Sequence, residues 1–364
     1  MLKSLFLTDS TMPFNRFITI TLLFWIASSN TSNAFASPQK FSTSSWLRLE
    51  DNSSSKKTPK RKNEITSLAM ISSVTNVLSN TSPFWKTNGI YATSSVVGYV
   101  ISVLSGSHVH LDLIGTGAFG LGTLPSLFRQ KSLPIHTLWS SYAIALWSFK
   151  LAGFLFFRAI KVGHDKRLEE LLLTSSGAFQ FWFISFVWNM VSSMPYLLGF
   201  SRKYPGIGGR NGGDVGFVKV GGLVYLLGFS IETISDIQKW VFKQRHADKF
   251  CDIGLWSLSQ HPNYFGNLLV WIGILIMNVP WLIDLPLVES NTKFLSKAMN
   301  WVWRCRRLLI SLISPLFLWS LFNSQASGTM TNSLELAKSK YGRDPRYQSY
   351  QSEVPLIIPK LFRK

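Results

Sequence analysis

The sequence predicts an all-α fold, a polytopic bundle of about six to seven transmembrane helices, and two observations carry this prediction. Of the 364 residues, 46% are hydrophobic and only 15% are charged, whereas roughly 25% of an average soluble domain is charged. Long apolar runs separated by short polar loops fill the chain from residue 89 onward, after a polar start rich in Ser and Lys. This mixture excludes both an ordinary soluble enzyme and a disordered basic protein.

The chain begins with what the sequence predicts to be targeting segments in series. A basic start and a short apolar stretch, followed by small residues, predict a secretory signal peptide over residues 1–34. Residues 35–64 are Ser-rich and basic, which is typical of a disordered transit-peptide-like leader. Residues 65–88 are then a linker, and residues 89–364 form the membrane domain.

The junction between the two targeting segments favours a plastid membrane as the destination. Asn33-Ala-Phe-Ala-Ser-Pro38 resembles the Ala-Phe-Ala-Pro-type junction of bipartite plastid presequences in algae with secondary plastids. The alternative is an ordinary secretory signal followed by a disordered spacer, which would leave the protein in the endoplasmic reticulum membrane.

Apolar stretches of about the length of a membrane helix recur through the predicted domain. Several of them carry Gly and Ser at close spacing, which lets helices approach each other in lipid. The predicted spans are roughly 89–105, 108–128, 134–157, 176–200, 216–234, 264–283 and 307–323.

The formal net charge of +19 is explained by membrane topology. Lys and Arg crowd the loops beside the spans, where positive residues mark the non-translocated side and contact anionic lipid. No basic stretch is long enough to form a nucleic-acid-binding domain, so no nucleic acid partner is predicted. The six His and two Cys residues lack metal-ligand spacing, so no metal is predicted either. The oligomeric state stays open.

The polar residues of the domain concentrate after residue 228, and the first polar segment is a helix end. Glu232 and Asp236 are four residues apart on one helix face, and Lys239 and Lys243 continue that face. Ionisable groups at the end of a membrane span are costly and are therefore functional candidates. The alternative is a solvated helix end held by i,i+4 ion pairs.

Two further segments carry chemistry that suits a nucleotide cofactor. His261-Pro-Asn-Tyr-Phe-Gly266 is a polar turn that opens an apolar helix, where Asn263 and Tyr264 bring an amide and a phenol to the membrane edge. His261 can donate to a phosphate or ribose oxygen, and a helix N-terminus favours an anion. The tail from Lys340 to Tyr350 is rich in Arg and Tyr, and Arg suits bidentate phosphate contacts.

Together these segments resemble the steroid 5-alpha-reductase C-terminal superfamily, most closely its membrane group of unknown function with the His-Pro-Asn-Tyr-Phe-Gly motif. The resemblance runs from about residue 90 to the end. It implies a bundle similar to steroid reductases and isoprenylcysteine methyltransferase-like membrane enzymes, with NADPH at one face and a lipid substrate entering between helices. The implied reaction is hydride delivery to an electron-poor C=C bond of a sterol, isoprenoid or fatty-acyl lipid.

The resemblance also implies which residues contact the cofactor, although it names no catalytic residue. Lys243 stands where relatives use a basic phosphate partner, and Arg346 and Tyr347 match the general character of the tail. The predicted cofactor-binding residues are Glu232, Asp236, Lys239, Lys243, His261, Asn263, Tyr264, Gly266, Arg346 and Tyr347.

The chain departs from the group's pattern at three positions. Gln260 replaces an Arg, Asn267 replaces a Glu, and Lys150 stands for an Arg. Two other functions therefore stay open. One is an S-adenosylmethionine-dependent methyltransferase, because isoprenylcysteine methyltransferase-like proteins share a related Arg-His-Pro-x-Tyr-x-Gly motif. The other is a non-catalytic lipid-binding protein of the same fold, which the changes at Gln260 and Asn267 support.

Overall fold

The computed structural model describes residues 82–107, 109–128, 133–163, 174–200, 214–284, 294–328 and 333–360. All regular structure in these ranges is helical and none is strand, so the predicted all-α class is confirmed. The predicted signal peptide, the leader and most of the predicted linker lie outside the described residues.

The described residues contain twelve α-helices. They are α1 (Pro83–Ser105), α2 (Leu111–Leu121), α3 (Leu124–Leu127), α4 (Ile135–Val162), α5 (Ser175–Ser192), α6 (Met194–Phe200), α7 (Asp214–Arg245), α8 (Pro262–Leu282), α9 (Phe294–Ser311), α10 (Ile313–Ala326), α11 (Ser333–Tyr341) and α12 (Pro345–Glu353). A single 3-10 turn, Gly254–Ser257, lies between α7 and α8.

Four helical stretches of the described chain are long and apolar enough to cross a membrane. They are α4, α7 from Val215, α8, and the stretch Met299–Ala326 formed by α9 and α10. The helices α5 and α6 pass the same criterion only as a pair, bent by 54°. Helices of this length and hydropathy define a helical membrane bundle and hence an integral membrane protein.

The predicted number of six to seven spans exceeds the four or five found in the described residues. The two earliest predicted spans, 89–105 and 108–128, contain the helices α1 and α2. The helix α2 has only 11 residues, and α1 is too polar to count as a membrane span. The helix α1 buries Thr87, Asn88 and Ser95 within the bundle. The helix α2 packs on α4 and buries Leu111, Ala118 and Phe119. The helix α1 packs on α5 and leaves apolar side chains, such as those of Val96 and Leu104, exposed.

The most extensive helix–helix contact in the described chain joins α7 and α8. Glycines on both helices permit a backbone-to-backbone approach. A Cβ atom on Gly221 would lie 2.6 Å from the carbonyl oxygen of Gly273, and one on Gly228 would lie 2.5 Å from that of Gly266. The helices are therefore antiparallel along a seam of small residues, the arrangement that favours close packing in lipid.

The glycine seam also determines where the polar turn of α8 lies. A Cβ atom on Gly266 would meet the backbone nitrogen of Glu232 at 2.5 Å. The start of α8 is consequently held against the polar end of α7. Pro262 occupies the first turn of α8, where its missing N–H costs no helical hydrogen bond.

We expect Gly221→Ala to lower the free energy of unfolding by about 1–3 kcal/mol, because the added methyl group overpacks the seam. The neighbouring Gly222→Ala is the matched control, since a Cβ atom there would meet nothing within 4 Å. It should be neutral or slightly stabilising. Unfolding of both variants in detergent measures the difference, and equal stabilities would contradict the seam.

Candidate functional site

The three predicted polar segments meet at one end of the bundle, and Trp256 joins them. The Trp256 indole donates to the carbonyl oxygen of Ser235 on α7 at 2.9 Å. The carbonyl oxygen of Trp256 in turn accepts from the phenol of Tyr350 on α12 at 2.8 Å. The structure therefore brings the end of α7, the turn before α8 and the C-terminal tail together.

Hydrogen bonds to the tail backbone fasten the tail to the polar turn. The Gln260 side-chain amide donates to the carbonyl oxygen of Val354 at 2.7 Å, and its backbone N–H donates to that of Pro355 at 2.9 Å. The Ser259 hydroxyl donates to the carbonyl oxygen of Ile357 at 2.7 Å. Gln260, which replaces the expected Arg, is thus committed to holding the tail.

An aromatic cluster completes the attachment of the tail. The Phe250 ring lies 5.1 Å from the ring of Tyr347 and 5.3 Å from that of Tyr350, between ring centroids. The Lys243 ammonium donates to the phenol of Tyr341 at 2.6 Å. Burial raises the pKa of both the Tyr347 and the Tyr350 phenol, so both groups stay neutral. The predicted site residues Lys243 and Tyr347 therefore stabilise the tail.

The carboxylate of Glu232 lies in a network that connects α4, α7 and α8. Glu232 is only 2% exposed. One carboxylate oxygen accepts from the Lys150 ammonium at 2.6 Å, and the other accepts from Asn267 at 2.7 Å and from the Trp147 indole at 3.2 Å. The cationic partner of Glu232 is therefore Lys150 on another helix. The alternative prediction, a solvated helix end held by i,i+4 ion pairs, would place that partner on α7 itself.

Two of the departures from the group's pattern meet on this carboxylate. Lys150 and Asn267 both donate to Glu232. The sequence does not show that Lys150 and Asn267 share a partner. The local signal in the sequence is that Trp147 and Lys150 are three residues apart and therefore lie on one face of α4. An amide at position 267 satisfies Glu232 where a second carboxylate would repel it.

Four of the predicted site residues keep hydrogen-bonding capacity unused. No described residue forms a hydrogen bond or salt bridge with the Asp236 carboxylate or with the ring nitrogens of His261. The side-chain oxygen of Asn263 is buried without a partner. The Lys239 ammonium lies 4.1 Å from the centroid of the Trp256 ring, a cation–π contact that leaves its N–H groups available.

The imidazole of His261 is held by stacking. Its ring lies 4.9 Å from that of Tyr264, nearly parallel at 8°, and the Tyr264 ring stacks on Phe322 of α10 at 4.9 Å. Burial lowers the pKa of His261 from 6.5 to about 3, and the charge of Lys239 acts in the same direction. At neutral pH the imidazole is therefore uncharged, with one donor and one acceptor nitrogen.

The structure gives the predicted residues Gly266 and Arg346 other surroundings. Gly266 belongs to the seam with α7, where only the absence of a side chain permits the contact. The Arg346 side chain is 74% exposed and lies 3.5 Å from Asp344. Asp344 caps α12 by accepting from the backbone N–H of Arg346 at 2.9 Å, which explains why α12 begins there.

An open groove of about 460 Å³ lies on a different face of α7 from the predicted site. None of the ten predicted residues lines it. Its lining residues are Ile237, Gln238, Val241, Phe242, Arg245, His246 and Ile253.

The fold and these contacts define a helical integral membrane protein with a polar site at one end of its bundle. A family model described as "Protein of unknown function (DUF1295)" matches residues 98–290. Because this match covers just over half of the chain, the protein belongs to that family. The matched range includes the Glu232 network and the polar turn, and it ends before the C-terminal tail. No curated protein and no solved structure matches the chain.

We expect Lys150→Met to lower the free energy of unfolding by about 3 kcal/mol, because it leaves the Glu232 charge buried with neutral donors only. Lys150→Arg keeps the cation and should stay close to wild type. Lys161→Met, an exposed position on the same helix, is the control and should cost less than about 0.5 kcal/mol. Equal losses at positions 150 and 161, measured by unfolding in detergent, would refute the network.

Proposed function

We propose that the protein is an NADPH-dependent membrane oxidoreductase that reduces a C=C bond of a sterol, isoprenoid or fatty-acyl lipid. The observation that carries the proposal is the set Asp236, Lys239, His261 and Asn263, whose polar groups lie at one end of the bundle with capacity for a ligand. Membership of a family related to steroid reductase-like membrane proteins supports this reaction class.

The chemistry of these four residues fits a nicotinamide dinucleotide. The buried, unpartnered oxygen of Asn263 and the neutral imidazole of His261 complement the donor and acceptor atoms of a carboxamide. The Asp236 carboxylate can accept from ribose hydroxyls, and the Lys239 ammonium can donate to phosphate oxygens. When bound, NADPH supplies the hydride for the C=C bond.

A second candidate is a non-catalytic lipid-binding protein of the same fold. It is favoured by Gln260 and Asn267, whose amides are committed to the tail and to Glu232.

For either function we propose a plastid membrane, with the endoplasmic reticulum membrane as the alternative. The reason is the segment around Phe35, which resembles the junction of a bipartite plastid presequence. Those residues lie outside the described ranges, and imaging of the tagged full chain distinguishes the two membranes.

We expect NADPH to raise the unfolding temperature of the detergent-solubilised protein, and both His261→Ala and Asp236→Ala to abolish that increase. A ligand at a concentration one hundred times its Kd raises the free energy of unfolding by about 2.7 kcal/mol. For a protein of this size the unfolding temperature then rises by several degrees or less. Arg346→Ala is the control, because that side chain faces solvent, and it should keep the full NADPH response.

Each alternative predicts a different outcome of the same measurement. Stabilisation by S-adenosylmethionine instead of NADPH would identify a methyltransferase, and no response to either compound would favour the non-catalytic protein. Undiminished NADPH stabilisation in both His261→Ala and Asp236→Ala would show that the cofactor binds elsewhere.

A further inference from the structure

The groove on α7 changes in character along the helix axis. Ile237 and Val241, on the side nearer the membrane span, are 52% and 42% exposed. Arg245 and His246 follow at the end of the helix, and Ile253 from the next loop closes the groove with an exposed apolar side chain. An apolar half is thus followed by a cationic end, which is the order of acyl chains, glycerol and phosphate in a phospholipid.

The cationic end of the groove has unused binding capacity. No described residue forms a hydrogen bond or salt bridge with the Arg245 guanidinium. The segment from Lys239 to Asp252 carries four Lys or Arg residues against two Asp residues. Neither Lys239 nor Lys243 lines the groove, and Arg245 is the one Lys or Arg residue among its lining residues.

The position of the groove along α7 suits the lipid headgroup layer. The candidate span Val215–Arg245 has 31 residues, which at a rise of 1.5 Å per residue is about 46 Å, close to the roughly 40–45 Å of a bilayer with both headgroup layers. Arg245 therefore lies at the outer edge of one headgroup layer, and Val241 and Ile237 lie about 6 and 12 Å deeper. The long side chain of Arg245 can reach back to the phosphate level.

We propose that this groove binds a phospholipid with an anionic headgroup. The glycerol and upper acyl carbons contact Ile237, Val241 and Ile253, and the headgroup phosphate accepts hydrogen bonds from Arg245. The proposal does not depend on the reductase activity, because the groove and the candidate cofactor site occupy different faces of α7.

The test uses the full chain purified in detergent, with phosphatidylglycerol and phosphatidylcholine of identical acyl chains as probes. Native mass spectrometry across a lipid titration gives the affinity for each lipid. We expect tighter binding of phosphatidylglycerol, and an affinity for it that falls about fivefold in Arg245→Gln, since one cation near a membrane surface contributes about that factor. Arg245→Lys should keep most of the preference.

Lys161→Gln is the matched control, because Lys161 is an exposed cation at the end of the adjacent helix α4. It should leave the preference for phosphatidylglycerol unchanged. Equal binding of the two lipids by the wild type, an unaltered preference in Arg245→Gln, or an equal loss in Lys161→Gln would each overturn the proposal. Competition by soluble glycerol phosphate would also overturn it, because the site would then bind free phosphate and not a lipid.

Discussion

The polar end of the bundle depends on the buried carboxylate of Glu232. An ion in this position is stable only where donors surround it. Lys150 and Trp147 supply them from α4, and Asn267 supplies one from α8. One side chain therefore sets the positions of three helices relative to each other. The glycine seam between α7 and α8 makes the arrangement possible, because a larger residue at Gly266 would displace the backbone of Glu232.

The polar residues around this network form two groups. In one group the side chains form hydrogen bonds that hold the fold together, and in the other they do not. Gln260 fastens the tail, and Lys243 donates to Tyr341 beside the Phe250 cluster. The remaining groups, centred on Asp236 and His261, are oriented by this framework and left without partners among the described residues. Among them the side-chain oxygen of Asn263 is buried without a partner, which is costly in a packed protein, while Asp236 and His261 are half-buried and Lys239 is exposed. This unpaired oxygen is the physical argument for the proposed ligand.

The helical membrane fold and the segments of the candidate site were predictable from the sequence, because apolar runs and polar turns are local patterns. The partner of Glu232 was not, because Lys150 is 82 residues away in the sequence and only the packing of α4 on α7 brings it close. The role of Gln260 also depends on a distant segment, the tail. The described residues contain fewer spans than predicted, because hydropathy does not distinguish an apolar helix that faces lipid from one such as α2, which has only 11 residues and packs on other helices.

Comparison of the lipids in cells with and without the protein tests the proposed C=C reduction most directly. We expect cells that lack it to accumulate a lipid two hydrogen atoms lighter than the product that is missing from them. Reintroducing the wild-type chain should restore the product, and reintroducing His261→Ala should not. An unchanged lipid profile, or an accumulated lipid that differs from its product by a methyl group, would contradict the reductase function.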